Sequence, residues 1–554
     1  MTLGTDSDYK KTFRSKETSV IERWLPERAC PWLTLGVIVL AAVVRFTLLL
    51  AGLGLDLSPD EAHYWDWSRN LDWSYYSKGP LVAWIIASST AVLGTLSETL
   101  TGHLTFAIRA PAVLFGSLML GSLYVLTVQV SDSRRLGFAV VVGALTHPIV
   151  TAGSTLITID SPYACAWGWA CVLALHAIRT EALWAWLLAG LIVGLGILAK
   201  YTMVVFLPSV ALFLLLSPVH RRQLLTAGPW TMVAVASCAV VPILIWNAQH
   251  EWVTFQHVAQ LAGLKTRDPG RPSTGIQWLG PLNYVGGQFA LLLGTWFVLW
   301  AVAVVRFAPW RDTDEGRRFL WCLSVPMFVL FLGFSPKTGG GELNWPITAY
   351  LSGSVLAAIG YAQYGRGWMH AIIAATCVLG LTATVFLFAS PAIHPAMERI
   401  VGQPTVTNPT PIRKLDPTCR LRGWRDLAAA VDAVCDQLRA RGEDPVVVGT
   451  GWTLPGQLGV YCRQHPRVYC IGSLQGERLS QYDLWHNPMD HPESFRGRTF
   501  VLVGSVHRDT LQAFAEVEPA QTIRVQVGDR PIAEFTLWVA RGFQGFPARP
   551  RNKH

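Results

Sequence analysis

Between residues 33 and 390 the chain keeps returning to one kind of segment, an apolar run followed by a short polar turn. A bilayer-spanning helix needs about 20 consecutive apolar residues. Within the hydrocarbon every backbone N–H and C=O must be satisfied inside the segment, which restricts such runs to helices. Candidate spans lie at 33–53, 108–130, 136–152, 160–178, 183–199, 202–217, 228–246, 284–305, 318–334, 345–362 and 369–390, which makes eleven. Apolar residues are 51% of the chain and charged residues 15%, against about 25% charged in soluble domains. Trp, with 24 residues, suits the two water–lipid boundaries. These features predict an all-α polytopic membrane domain over 33–390, preceded by a polar, basic cytoplasmic tail over 1–32. That tail has no apolar core, so the first span is expected to act as an uncleaved anchor.

A twelfth apolar run, Leu81 to Leu96, is shorter and is interrupted by Ser88, Ser89, Thr90 and Gly94. With the N-terminus inside, Asp60 lies outside. The basic turns at Ser131 to Arg135, Arg179, His220 to Arg222, Arg306 to Arg318 and Arg366 then belong inside, where Lys and Arg concentrate. Passing from Asp60 to Arg134 takes an odd number of crossings, so Leu81 to Leu96 is read as a helix lying in the outer interface. Every later loop then alternates correctly, and everything after Pro391 lies outside. The formal net charge of +9 follows from these turns and does not call for nucleic acid.

The outer face collects the residues that carry chemistry. Ionisable groups at a membrane edge are costly and are functional candidates by default. Here they are Asp60, Glu61, Arg69, Lys78, Asp160, Lys200, Lys337 and Glu342. Carboxylates suit general-base work on a hydroxyl or amine, and cations suit a phosphate that leaves. Together they suggest transfer from a lipid phosphate. Each residue also has a plainer reading. Asp60 follows Ser58-Pro59 and Asp160 precedes Ser161-Pro162, so both fit helix N-termini. Glu61 suits a first helical turn. Lys200 ends an apolar helix, where a lysine snorkels. The run Gly339-Gly340-Gly341 between Lys337 and Glu342 either lets backbone approach a ligand or simply turns the chain. The aromatics from Tyr64 to Tyr76 suit an interface whatever the protein does. His250 and His257 are too loosely spaced for a metal site.

Several segments, in order, carry a resemblance. "PDEAHYW" after the first span resembles the Asp-Glu of the GT-C superfamily of polyprenyl-phosphate-sugar-dependent glycosyltransferases. The bacterial aminoarabinose-transferase-like and protein O-mannosyltransferase-like enzymes are the relatives it points to. "SKGPLVAW" resembles their His/Lys-x-Pro-Pro-Leu segment, and "RAPAVLFG" (109–116) the Arg-x-Pro-Ser-x-x-x-Gly that opens their second span. "TLITIDSPYACAW", "LAKYTMVVFLPS" and "KTGGGELNWP" resemble later outer loops of the same enzymes. The resemblance implies a catalytic base at Asp60, with Glu61 and Asp160 beside it. It implies donor-phosphate ligands at Lys78, Arg69, Lys200 and Lys337, and substrate contacts from Tyr64, Glu342 and Asn344. Inversion in a single step would move a sugar from a polyprenyl phosphate to a lipid or protein acceptor on the outer face of a bacterial inner membrane. Two departures stand out. The Pro-Pro of the pattern appears as Gly79-Pro80, so one ring is missing, and Ser77 stands where some aminoarabinose transferases have a glutamate implicated as a metal ligand. No metal site is therefore carried over, although the superfamily leaves room for a divalent cation. A transporter of a lipid-linked sugar is the rival reading. It would call for internal repeats and mid-membrane polar groups, and the sequence displays neither.

After Pro391 the composition changes. Residues 391–418, with "QPTVTNPTPI" inside, read as a linker, and 419–554 as a small extracytoplasmic α/β domain with a partly parallel sheet. Strands are expected at "PVVVGTG", "RVYCIG", "RTFVLVGS" and "AEFTLWVARGF", and helices at Trp424 to Gly442, Leu454 to His465 and Asp509 to Val517. "GTGWTLPG" lacks the full dinucleotide-binding register. "SQYDLWHNP" is a loop that could face the membrane domain. Cys462 and Cys470 are close enough in sequence to bridge, which the sequence leaves open.

Overall fold

The computed structural model describes residues 25–52, 55–264 and 275–546. Most of the N-terminal tail, with Lys10, Lys11, Arg14 and Lys16, lies outside the described residues. The chain is a mostly helical membrane protein with a small C-terminal sheet domain. Six helices are long and apolar enough to cross a bilayer: Cys30–Leu50, Leu81–Thr101, Thr105–Ser131, Ala227–Gln249, Glu315–Thr338 and Gly367–Val401.

Several expected spans are instead built from broken pieces. The run 284–305 forms Gly280–Leu291 and Thr295–Arg306, bent by 115°, where Leu293 and Gly294 both take positive φ. The run 136–152 forms Arg134–Leu145 and Pro148–Gly153. Pro148 has no N–H to continue the ladder, and the His147 ring accepts the Ile149 N–H at 3.2 Å instead. The run 202–217 begins as a 3-10 turn, Tyr201–Val205.

The turns sort to two ends of the bundle. At one end Arg135 donates to the Leu25 carbonyl at 2.7 Å and Arg179 to that of Gln129 at 2.6 Å. Gln223 reaches the Ile178 carbonyl, and His220 lies 3.1 Å from Glu315. The turns read as basic and internal therefore meet one another. The opposite end carries the C-terminal domain. Helix Leu81–Thr101 is unbroken and longer than its apolar run suggested. Yet Tyr76, just before it, bonds Gln481, and Glu98, near its end, pairs with His465. The segment therefore meets the C-terminal domain at both ends.

The C-terminal sheet has the order β2-β1-β3-β6-β4, with β5 pairing β6. β1 (Val446–Gly449), β2 (Tyr469–Cys470) and β3 (Phe500–Val503) are parallel. β4 (Phe514–Val517), β5 (Gln521–Val527) and β6 (Arg530–Phe543) are antiparallel additions. The helix expected over Asp509 to Val517 is only Arg508–Leu511, because the following residues pair with β6 as β4. The helix from Thr453 stops at Tyr461, where Cys462 turns extended, and Gln464 and His465 beyond it adopt positive φ. Cys462 and Cys470 are both free, buried thiols. Met397 and Ile412, within the stretch read as a linker, pack with Cys419, Val525, Ile532 and Ala533.

Candidate active site

The site is organised by the short helix Pro59–Ser68. Ser58 and Glu61 form a reciprocal capping box at its start, satisfying two orphan backbone donors. Leu57, Ala62, Tyr64, Trp65 and Trp67 bury its inner face. Asp60 and Glu61 are adjacent in sequence, and about 100° of helical rotation sends them to different surroundings. Glu61 is 0% exposed and Arg109 1%. The Arg109 Nε donates to Oε1 at 2.8 Å and its Nη2 to Oε2 at 2.7 Å. The same carboxylate accepts the Ser58 N–H at 2.8 Å and the Ile157 N–H at 2.9 Å. Arg109 also donates to the carbonyls of Leu55 and Asp56. Four donors fill the Glu61 acceptors, so this carboxylate holds the site helix in place.

Asp60 is open to solvent, and among the described residues no hydrogen bond or ion pair engages it. Protein nevertheless rises around it. That burial lifts its carboxyl above the usual range, against the pull of Lys78 and Arg478 and with a further push from Glu61 and Asp160. Asp160 is held from two sides. Its Oδ1 lies 2.7 Å from Lys200 Nζ, and its Oδ2 accepts from Asn344 at 2.6 Å. Lys78 is half-buried; burial and the nearby Lys200 lower its ammonium pKa, while Asp60 and Asp160 oppose this. The missing proline has a steric reason. A Cβ at Gly79 would stand 2.1 Å from the Leu198 carbonyl oxygen. The loop rests directly on the end of helix Leu183–Ala199, and this contact brings Lys78 toward Lys200.

The structure thus brings together Asp60, Lys78, Asp160, Lys200 and Asn344. Tyr64 joins them as a wall, buried one turn beyond Asp60, with its hydroxyl pKa raised by burial and then by Asp60 and Asp160. Arg69 does not join. It donates to the carbonyls of His465 at 2.9 Å and Pro466 at 3.3 Å and lies over Trp65, so it fastens the C-terminal domain. Lys337 and Glu342 are exposed and make no hydrogen bond or ion pair with the cluster.

Of the C-terminal side of the site, sequence reasoning offered only the "SQYDLWHNP" loop. Helix Thr453–Tyr461 packs on the site helix so closely that a Cβ at Gly456 would lie 2.6 Å from the Ala62 carbonyl. The "SQYDLWHNP" loop does face the membrane domain: Gln481 accepts the Tyr76 N–H at 2.7 Å, and Tyr482 stacks on His63 at 4.9 Å. Burial drives the His63 imidazole down to about 3, so it is neutral. "GTGWTLPG" is a strand–turn–helix, and the place an anion would take is filled from within. Glu477 accepts the Trp452 N–H at 3.1 Å, and its carboxylate fills the space beside Gly451.

A metal does not fit this cluster. Ser77 offers no carboxylate, and Lys78 beside it is a cation. Among the described residues, the one group of His, Cys, Asp or Glu close enough to share an ion is His394, Asp416 and Cys419. It lies where the connecting stretch enters the C-terminal domain, and there His394 and Asp416 already bond each other at 2.8 Å.

Below Asp160 opens an apolar cavity of about 260 Å³. Leu123, Val140, Trp296, Trp300 and Leu351 are among its lining residues, and Asp160 and Ser161 lie at its polar edge.

Residues 77–246 match the family described as dolichyl-phosphate-mannose-protein mannosyltransferase. The chain is 29% identical over 341 residues to the lipid A galacturonosyltransferase RgtD of Rhizobium johnstonii, covering 59% of this chain and 66% of the relative. It is 25% identical over 321 residues to the undecaprenyl phosphate-alpha-4-amino-4-deoxy-L-arabinose arabinosyl transferase of Pectobacterium atrosepticum, covering 53% and 54%. The matches therefore span less than two thirds of these relatives' lengths. The crystal structure of ArnT from Cupriavidus metallidurans bound to undecaprenyl phosphate superposes with a TM-score of 0.60 at 15% identity, over 94% of this chain and 100% of that one. The fold is shared across both the helical and the sheet regions.

Proposed function

We propose that this chain is an integral-membrane inverting glycosyltransferase that takes a sugar from a polyprenyl-phosphate donor. One observation carries the reading: an unpaired carboxylate, Asp60, faces Lys78 and the Asp160–Lys200 pair, with an apolar cavity opening at Asp160. The cavity suits a prenyl tail and the cations suit its phosphate. Asp60 accepts the proton of an acceptor hydroxyl as that oxygen attacks the anomeric carbon. The bond from that carbon to the phosphate oxygen breaks, and its electron pair leaves with the polyprenyl phosphate. The anomeric centre inverts in this single displacement.

In this reading the polypeptide makes eleven passes, several through broken helices, with Leu81–Thr101 in the interface. The clustering of basic turns at one end supports it, and by the positive-inside rule favours a site and sheet domain outside the cytoplasm. Residues 33–390 form the catalytic domain, 391–418 a packed connection and 419–554 the outer domain. The relatives named for lipid A and for undecaprenyl phosphate favour a lipid acceptor and an undecaprenyl donor. The transport alternative draws no support from the charges, which gather at one end. The test is to incubate the purified chain with undecaprenyl-phosphate sugars and lipid A. Sugar-dependent release of undecaprenyl phosphate, lost in Asp60→Asn, supports the reading. Donor that crosses a vesicle membrane uncleaved, equally with wild type and variant, overturns it.

A further inference from the structure

We propose that Arg478, carried on the C-terminal domain, is a binding residue of this site and holds an anionic group of the donor together with Lys78. This rests on the glycosyltransferase reading above and adds a residue from outside the membrane domain.

Position comes from a short chain of contacts. The Arg478 guanidinium lies 4.7 Å from the centre of the Trp452 ring. That ring is 5.6 Å from the ring of His63. His63 follows Asp60 by three residues on the same helix, so the two side chains share a face. Arg478 accordingly acts electrostatically on Asp60, His63, Tyr64 and Lys78 alike. Its loop is pinned on both sides. Gly476 turns the chain at φ +83°, and the Glu477 N–H reaches the Gly472 carbonyl at 3.0 Å. The Glu477 side chain accepts from Trp452, and Ser480 bonds Asp483.

Charge then says what the position is for. Lys200 is already matched by Asp160 at 2.7 Å. Among the described residues neither Lys78 nor Arg478 has a carboxylate within salt-bridge distance. Two cations held toward one space repel each other, and a bound anion between them removes that cost. Asp60 is the carboxylate they share, and it loses its charge when it takes the acceptor's proton. At that moment the departing phosphate gains negative charge, and Lys78 and Arg478 are placed to receive it. A guanidinium offers a planar fork that matches phosphate or carboxylate. The anion is therefore the donor's phosphate or a carboxylate on its sugar.

The experiment uses the full-length chain in lipid nanodiscs. Undecaprenyl phosphate is the first probe, followed by two undecaprenyl-phosphate sugars, one with and one without a carboxylate. Arg478→Gln is expected to weaken binding about tenfold or more with an unchanged melting temperature, and Arg478→Lys to recover part of the loss. A loss seen equally with all three probes assigns the phosphate. A loss confined to the carboxylate sugar assigns the sugar. For either assignment, KM for the affected donor rises and the variant's melting curve stays with wild type. Wild-type affinities retained by Arg478→Gln for all three probes overturn the inference. If wild type itself binds no undecaprenyl phosphate, the failure belongs to the glycosyltransferase reading instead.

Discussion

Glu61 grips Arg109 through both carboxylate oxygens, at 2.8 and 2.7 Å, with both side chains buried. The pair ties the site helix to the span that opens at Thr105 and, through the Ile157 N–H, to the loop before Asp160. Removing one member of such a pair leaves the other charge buried and unmatched, which costs about 3–5 kcal/mol. Glu61→Gln is therefore expected to lower the melting temperature sharply and to lose activity through misfolding. Intrinsic tryptophan fluorescence on heating measures it. A variant that melts like wild type but is inactive would return Glu61 to the chemistry.

Asp60 should behave in the opposite way. Its folded pKa is raised by burial, so its contribution to stability is present below the unfolded carboxylate pKa and is lost as pH rises through the folded one. At neutral pH the ionised group is a liability to the fold. Asp60→Asn is expected to melt no lower than wild type while transfer falls by at least about 100-fold, the usual scale for a lost general base. Melting and turnover measured on the same preparation decide this, and a large drop in stability would contradict it.

The same shift sets a pH profile. Asp60 must be ionised to accept a proton, so activity falls as pH drops through a pKa above the ordinary carboxylate range. Lys78 and Arg478 oppose the shift, and Glu61 and Asp160 add to it. Lys78→Met removes the first of the opposing charges. It is expected to move the acidic limb of kcat to higher pH, beside weaker donor binding. An acidic limb that moves to lower pH would show that another group is being titrated.

How much of this was legible follows from where each signal sits. Lys78, Asp160, Lys200 and Asn344 stand at the ends of apolar runs, where a polar side chain is conspicuous, and they do converge. The division of labour between Asp60 and Glu61 was not legible, because the residue that decides it, Arg109, is 48 positions away. Arg69 looked like a ligand because its distant partners, two backbone carbonyls, carry no sequence mark. Arg478 lies in a polar domain where arginines are ordinary, and only the docking of that domain makes it unusual. The bend at Gly294 interrupts no hydropathy pattern. β5 was missed although the two residues between Val527 and Arg530, Gly528-Asp529, are a recognisable tight hairpin connection.

Asp160 and Lys200 offer a test of whether a 2.7 Å contact is structural or shared with substrate. Both side chains are largely shielded, at 16% and 10% exposure, and Asn344 fixes the second carboxylate oxygen. Lys200→Met leaves Asp160 without its cation, and Asp160→Asn leaves Lys200 without its anion. The double variant removes both charges, so a pair that serves only the fold should recover stability, with a coupling of about 0.5–3 kcal/mol. Donor binding should not recover with it, because the lysine's charge is still absent from the phosphate site. The expected outcome is therefore a split: melting of the double variant moves back toward wild type, while undecaprenyl phosphate affinity stays about tenfold or more below it. Recovery of both together would show that Lys200 serves Asp160 alone.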